Sequence, residues 1–131
     1  MASNHKVNAN KNQGSKWCSR KLRLAIYLRD GFACVYCKRN LRGAEPKDMG
    51  LDHLVCRSKG PDHRARNLVT ACCHCNSKRK DMSLYAFVPN EFRRDAIYRQ
   101  AKRSLRRYLA MASNLLSDST GWRDALAKAS D

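Results

Sequence analysis

Two Cys-x-x-Cys pairs, Cys34-Val-Tyr-Cys37 and Cys72-Cys-His-Cys75, are the residues most directly suited to chemistry. In each pair one turn of backbone brings two sulfurs to the same side. Two such pairs supply the tetrahedral thiolate set that Zn²⁺ takes at about 2.3 Å per bond. Thirty-four residues separate the pairs, more than in the commonest zinc ribbons, so the insert has room for structure of its own. Within the second cluster, Cys72 and Cys75 share a helical face at i and i+3. Cys73 and His74 are turned about 100° and 200° away from Cys72. A Cys34, Cys37, Cys72, His74 set is the alternative, but an i, i+2 pair suits a helix poorly. Reading the cysteines as small core residues leaves two matched pairs unexplained. The expected site is a structural zinc on Cys34, Cys37, Cys72 and Cys75.

A second constellation lies between and after these pairs. It consists of Asp52-His53, Asn67 fourteen positions after the histidine, and Asn76 directly after Cys75. With the preceding RDGFACVYC and the basic residues that follow, the stretch from about residue 20 to 82 resembles the zinc-stabilised members of the HNH endonuclease family. The fold this implies is a small α+β ββα-metal (His-Me finger) domain with structural zinc. The chemistry agrees with the residues. Phosphodiester hydrolysis needs a nucleophile activated near neutral pH, and histidine can take a proton from water. It also needs a divalent cation, held by oxygen ligands, at the scissile phosphate and the departing 3′ oxygen. His53 suits the base, and Asp52 and Asn76 offer the ligands for Mg²⁺ or Mn²⁺. The resemblance assigns those same roles and gives Asn67 the task of fixing the loop that orients the base. It further implies a one-metal mechanism on DNA, double-stranded by expectation, with 5′-phosphate and 3′-hydroxyl products. Small stand-alone proteins of this type resemble bacteriophage or mobile-element nucleases, some linked to genome packaging. The rival function is a non-catalytic zinc-finger module that binds nucleic acid, for which Asp52, His53 and Asn76 are not needed.

Three positions depart from the family pattern. Cys56 stands where proline often follows the Asp-His, Gly60-Pro61 replaces a glycine pair, and Lys80 occupies a common glycine position. The spacing of Asp52 and His53 also raises a geometric question. Neighbours in a regular strand face opposite sides, so the strand must end, bulge or twist there. His63 reads as a solvated loop histidine, and His5 and His74 carry no signal. Asn67 also fits a helix N-cap.

The composition narrows the partners. Twenty-seven Lys and Arg against 11 Asp and Glu give a net charge of +16 over 131 residues. Such an excess suits a polyanion, and its spread along the chain favours nucleic acid over a membrane surface. Arg57, Lys59, Arg79 and Lys80 are the candidate DNA contacts beside the site. The absence of a long apolar run argues against a membrane span. A polar N-terminus and seven cysteines point to a reducing cytoplasm, that of a bacterial host if the chain is phage-encoded.

The elements that must position these groups follow from periodicity. Residues 1–14 read as a disordered basic arm, 15–88 as the nuclease core and 89–131 as a basic helical extension. A helix capped by Ser15 is expected to run to a stop at Gly31, with Cys18 packed inside it. FACVYCKRNL suggests a hairpin carrying the first two thiols, and LDHLVC, residues 51–56, a strand. A helix is expected around Cys72 to Lys80. One long amphipathic helix is expected from Asn90 to about Leu116, with Phe92, Ala96, Ala101, Leu105, Leu109, Ala112 and Leu116 as its apolar stripe. Its arginines would face DNA phosphates. A short final helix is expected around Trp122 and Leu126.

Overall fold

A computed structural model gives the fold over residues 17–56, 59–60 and 62–131. The expected arm at 1–14, the Ser15 cap, Arg57 and Pro61 lie outside the described residues. Helix α1 spans Arg20–Arg29 and is capped by Ser19, whose Oγ accepts from the Leu22 amide at 3.1 Å. Cys18 is buried just ahead of the Ser19 cap, outside α1. The stop is at Gly31 as the sequence suggests. Its φ of 67° lets the Phe32 and Gly31 amides reach back to the Tyr27 and Leu28 carbonyls at 2.9 and 3.1 Å, a left-handed cap that glycine adopts without strain.

The first Cys-x-x-Cys segment is a tight knuckle with a single bridge, Ala33 to Asn40, and not a hairpin of two strands. Its amides turn inward. Lys38 donates to the Cys34 carbonyl at 2.9 Å and Cys34 to the Arg39 carbonyl at 3.0 Å. The sheet is made elsewhere. Strand β1, Met49–His53, pairs antiparallel with β2, Leu68–Cys72, in a register running from Met49↔Cys72 to His53↔Leu68. The expected strand at 51–56 therefore starts two residues earlier and ends at His53. The LVTAC run, which the sequence suggested as the approach to a helix, is the second strand. All of its residues are buried, so both faces are covered and no polar alternation marks it. Helix α1 and helix α2, Cys73–Arg79, both pack against β2. A short helix α3, Leu84–Phe87, follows.

The C-terminal region departs most from expectation. In place of one long helix there are two, α4 at Glu91–Ala101 and α5 at Arg106–Ser117, followed by α6 at Trp122–Ser130 around the expected Trp122 and Leu126. No proline or glycine causes the break. The buried Arg29 guanidinium donates to the Ala101 carbonyl at 3.0 Å, the acceptor that an amide four residues on would need to continue the helix. The same guanidinium donates to the carbonyls of Leu68 at 2.7 Å and Ala65 at 3.3 Å. Asp30 closes the hub: it pairs with Arg29 Nε at 2.9 Å, accepts from the Thr70 amide at 2.8 Å and accepts from Gln100 at 3.0 Å. Of the expected stripe, Ala101 and Ala112 are buried, but Phe92 is 81 % exposed and Ile97 takes the inward place. Helix α5 lies along α1 and α6.

One buried ion pair thus ties α1, β2 and α4 together. Removing its cation strands a buried carboxylate, which generally costs about 3–5 kcal/mol. Arg29→Met should lower unfolding stability by that order in urea titration, and a loss under about 1 kcal/mol would show the hub to be dispensable.

Candidate metal centre and active-site cleft

The knuckle is drawn onto β2 by the Val35 amide, which donates to the Thr70 carbonyl at 3.0 Å. That bond brings the first thiol pair beside the second at the β2–α2 junction. The sulfurs of Cys34, Cys37, Cys72 and Cys75 all lie within 4.8 Å of one another, with Cys37 and Cys72 at 3.8 Å. A tetrahedron with bonds of about 2.3 Å has edges of about 3.8 Å, so the donor set fits zinc. Cys72 also caps α2, its sulfur accepting from the Cys75 amide at 3.4 Å. Burial pushes the Cys34 and Cys75 thiols above their ordinary values. Sharing a divalent cation is what would let such packed thiols ionise together. Cys73 and His74 point outward and are exposed, as the helical phase suggests.

On the next face of α2, Asn76 borders an open cleft of about 320 Å³ together with Trp17, Leu51, Asp52, His53, Cys56, Lys80 and Asp81. The strand-neighbour question resolves itself because β1 ends at His53, so both Asp52 and His53 border this cleft. Asp52 Oδ2 is gripped from behind by Arg79 Nη1 at 2.7 Å and by the Tyr36 hydroxyl at 2.5 Å. Burial, with the Asp52 carboxylate beside it, raises the Tyr36 phenol far above its usual range, so Tyr36 stays a donor. Asn76 Nδ2 donates to the Leu51 carbonyl at 3.5 Å, so its amide oxygen takes no part in that bond.

Arg79 is not where the sequence suggested. Expected among phosphates, it is fully buried. Its guanidinium donates to the carbonyls of His53 at 2.6 Å, Leu54 at 2.5 Å and Met82 at 3.1 Å as well as to Asp52. A guanidinium with this many acceptors is more stable inside than a lone charge could be. Of the other expected contacts, Lys59 and Lys80 are exposed. Arg93 and Arg94 are partly committed to the fold through the Tyr36, Val88 and Pro89 carbonyls. Arg99, Lys102, Arg103, Arg106 and Arg107 are exposed on α4, α5 and the turn between them.

Asn67 ends a 3₁₀ turn, Ala65–Asn67, and is not a helix cap. Its Oδ1 accepts from the Val55 amide at 2.9 Å, and its Nδ2 donates to the Asp62 carbonyl at 2.8 Å. One side chain therefore clasps both ends of the loop after His53. His63, expected as a solvated loop residue, instead places Nδ1 at 3.0 Å from His53 Nε2. Trp17 packs on both imidazoles with ring centroids at 4.9 and 5.0 Å. Cys56, in the common proline position, is buried with its thiol on the Met82 carbonyl at 3.3 Å. Tyr36 and His63 are the site residues that sequence reasoning missed. A tyrosine between two zinc thiols, and a histidine four positions before Asn67, were the available signals.

Residues 34–82 match the family model described as HNH endonuclease, so this segment carries an HNH domain. Comparisons with curated proteins and with solved structures give no match. HNH domains act on nucleic acids, in keeping with the +16 charge.

Two variants probe this centre. Cys34→Ala should abolish zinc binding by metal analysis and unfold the knuckle, whereas Cys73→Ser should keep one zinc per chain; a folded Cys34→Ala protein that retained the metal would contradict the four-thiol set. Lys80 ends α2 at φ 49°, ψ −120°, a conformation that favours glycine. Lys80→Gly should raise stability by about 1 kcal/mol in thermal unfolding, and no gain would mean the turn carries no strain.

Proposed function

We propose that the chain is an HNH-type DNA endonuclease, hydrolysing phosphodiester bonds with His53 as general base and one divalent cation, Mg²⁺ or Mn²⁺, on Asp52 and Asn76. The observation that carries this reading is the convergence of Asp52, His53 and Asn76 on one cleft. Zinc binding and passive DNA binding require none of the three. Tyr36 and Arg79 hold Asp52 Oδ2 and so turn Oδ1 into the ligand oxygen. The amide oxygen of Asn76 is the second ligand. The cation would supply positive charge against the phosphate and the departing 3′ oxygen. His53 takes the proton of the attacking water.

Asn67 acts as a positioning residue through its clasp on Val55 and Asp62. Lys80, which lines the cleft, and the exposed Lys59 meet the flanking phosphates. The exposed arginines of α4 and α5 add contacts to the DNA backbone and therefore little sequence preference. Double-stranded DNA is the substrate that fits this extended basic surface.

The test is nicking of supercoiled plasmid by zinc-loaded protein with Mg²⁺ or Mn²⁺, with and without EDTA. Wild type should nick only with the divalent ion, and His53→Ala should lose about 10²- to 10⁴-fold in rate. Nicking that survives His53→Ala would remove the base assignment. No nicking with any divalent ion, alongside retained DNA binding, would favour the non-catalytic module.

A further inference from the structure

Two imidazoles meet at the edge of the cleft. His53 Nε2 and His63 Nδ1 are 3.0 Å apart, and their rings stand at 65° with centroids 5.2 Å apart. Trp17 backs both rings. At this distance one nitrogen must carry the proton and the other the lone pair. The choice bears directly on what His53 can do. If His53 Nε2 accepts, the neutral ring carries its proton on Nδ1 and has its only lone pair engaged by His63. If His53 Nε2 donates, its Nδ1 carries the lone pair that a base requires.

We propose that His63 is the positioning residue of the base: its Nδ1 accepts from His53 Nε2–H and holds His53 in the tautomer whose Nδ1 takes a proton. This rests on His53 being the base, as argued above. The pair performs the division of labour by which an acceptor behind an imidazole sets its tautomer and supports the imidazolium. When Nδ1 gains the water's proton, the Nε2–H becomes a cationic donor and its bond to His63 strengthens.

The surrounding structure holds His63 to this task from both sides. Asp62, before it, has its carbonyl clasped by Asn67 and its carboxylate on Arg64 at 2.9 Å. Arg64, after it, is fixed by that same carboxylate and by its carbonyl, which accepts from the Asn67 amide at 2.8 Å. The clasp also reaches Val55, two residues beyond His53. Asn67 therefore sets the distance between the two histidines, which gives its loop-fixing part a specific target.

Long-range ¹H–¹⁵N NMR of the zinc-loaded full chain at neutral pH reads the tautomer directly. His53 should be in the Nε2–H form in wild type and in His63→Gln, whose Oε1 can still accept. In His63→Ala it should become a tautomer mixture. In the plasmid assay His63→Ala should lower kcat on the order of 100-fold with little change in KM, and His63→Gln should recover most of it. Retained zinc and the thermal transition report whether each variant is folded. A wild-type His53 in the Nδ1–H form, or a folded His63→Ala with unchanged tautomer and kcat, overturns the proposal. A wild type that never nicks yet holds His53 as Nε2–H would overturn the nuclease reading and leave the pairing supported.

Discussion

A guanidinium carried out of water must find an acceptor in almost every direction it presents a proton, and the demands of Arg79 organise this site. From the end of α2 it gathers the carbonyls of His53, Leu54 and Met82 and one oxygen of Asp52. Those acceptors come from the end of β1, the start of the following loop and the turn after α2. A residue with no exposed surface thereby sets where the exposed chemistry lies. The carboxylate is held by one oxygen, and the chain at His53 is fixed by its carbonyl while its ring remains at the cleft. The charge is retained because it is fully hydrogen-bonded, the condition under which a buried cation is tolerated.

The thiol cluster and the Arg79 network share Tyr36. Cys34 and Cys37 flank it, so closing the knuckle on β2 carries its hydroxyl to Asp52. Zinc binding and the orientation of a proposed catalytic ligand are therefore mechanically linked through two adjacent side chains. Helix α2 couples the two centres a second way, presenting Cys75 to the thiols and Asn76 to the cleft. In a chain this small the hydrophobic core is modest, and these polar hubs supply much of what specifies the arrangement. Arg29 and Asp30 do the same on the other side of β2, where they also end α4.

Part of this was legible in the residues and part was not, for identifiable reasons. The thiol set was legible because ligand spacing is a local property: Cys72, ending β2 and capping α2, stays within one turn of Cys75 whatever surrounds them. The stop at Gly31 was legible because a left-handed cap is a one-residue requirement. Strand β2 was missed because burial on both faces erases the alternation that announces a strand. The break between α4 and α5 was missed because the contact at its edge, the Arg29 guanidinium on the Ala101 carbonyl, joins positions over seventy residues apart in sequence. Arg79 and His63 were misjudged for a common reason. Charged and loop residues are solvated by default, and only acceptors brought from distant segments reverse that default.

The sequence by itself determined the type of chemistry: a thiolate metal centre, a basic chain suited to a polyanion, and Asp52, His53 and Asn76 as the polar groups worth placing near a phosphate. Those follow from residue identity and short-range spacing, which survive any tertiary arrangement. Tertiary structure alone decided which charges face inward, which oxygen of Asp52 is held by Tyr36 and Arg79, where the C-terminal helix divides, and that His53 has an imidazole partner. Each of these depends on contacts between segments far apart in the chain, and hydrogen-bond satisfaction is settled only when those segments meet.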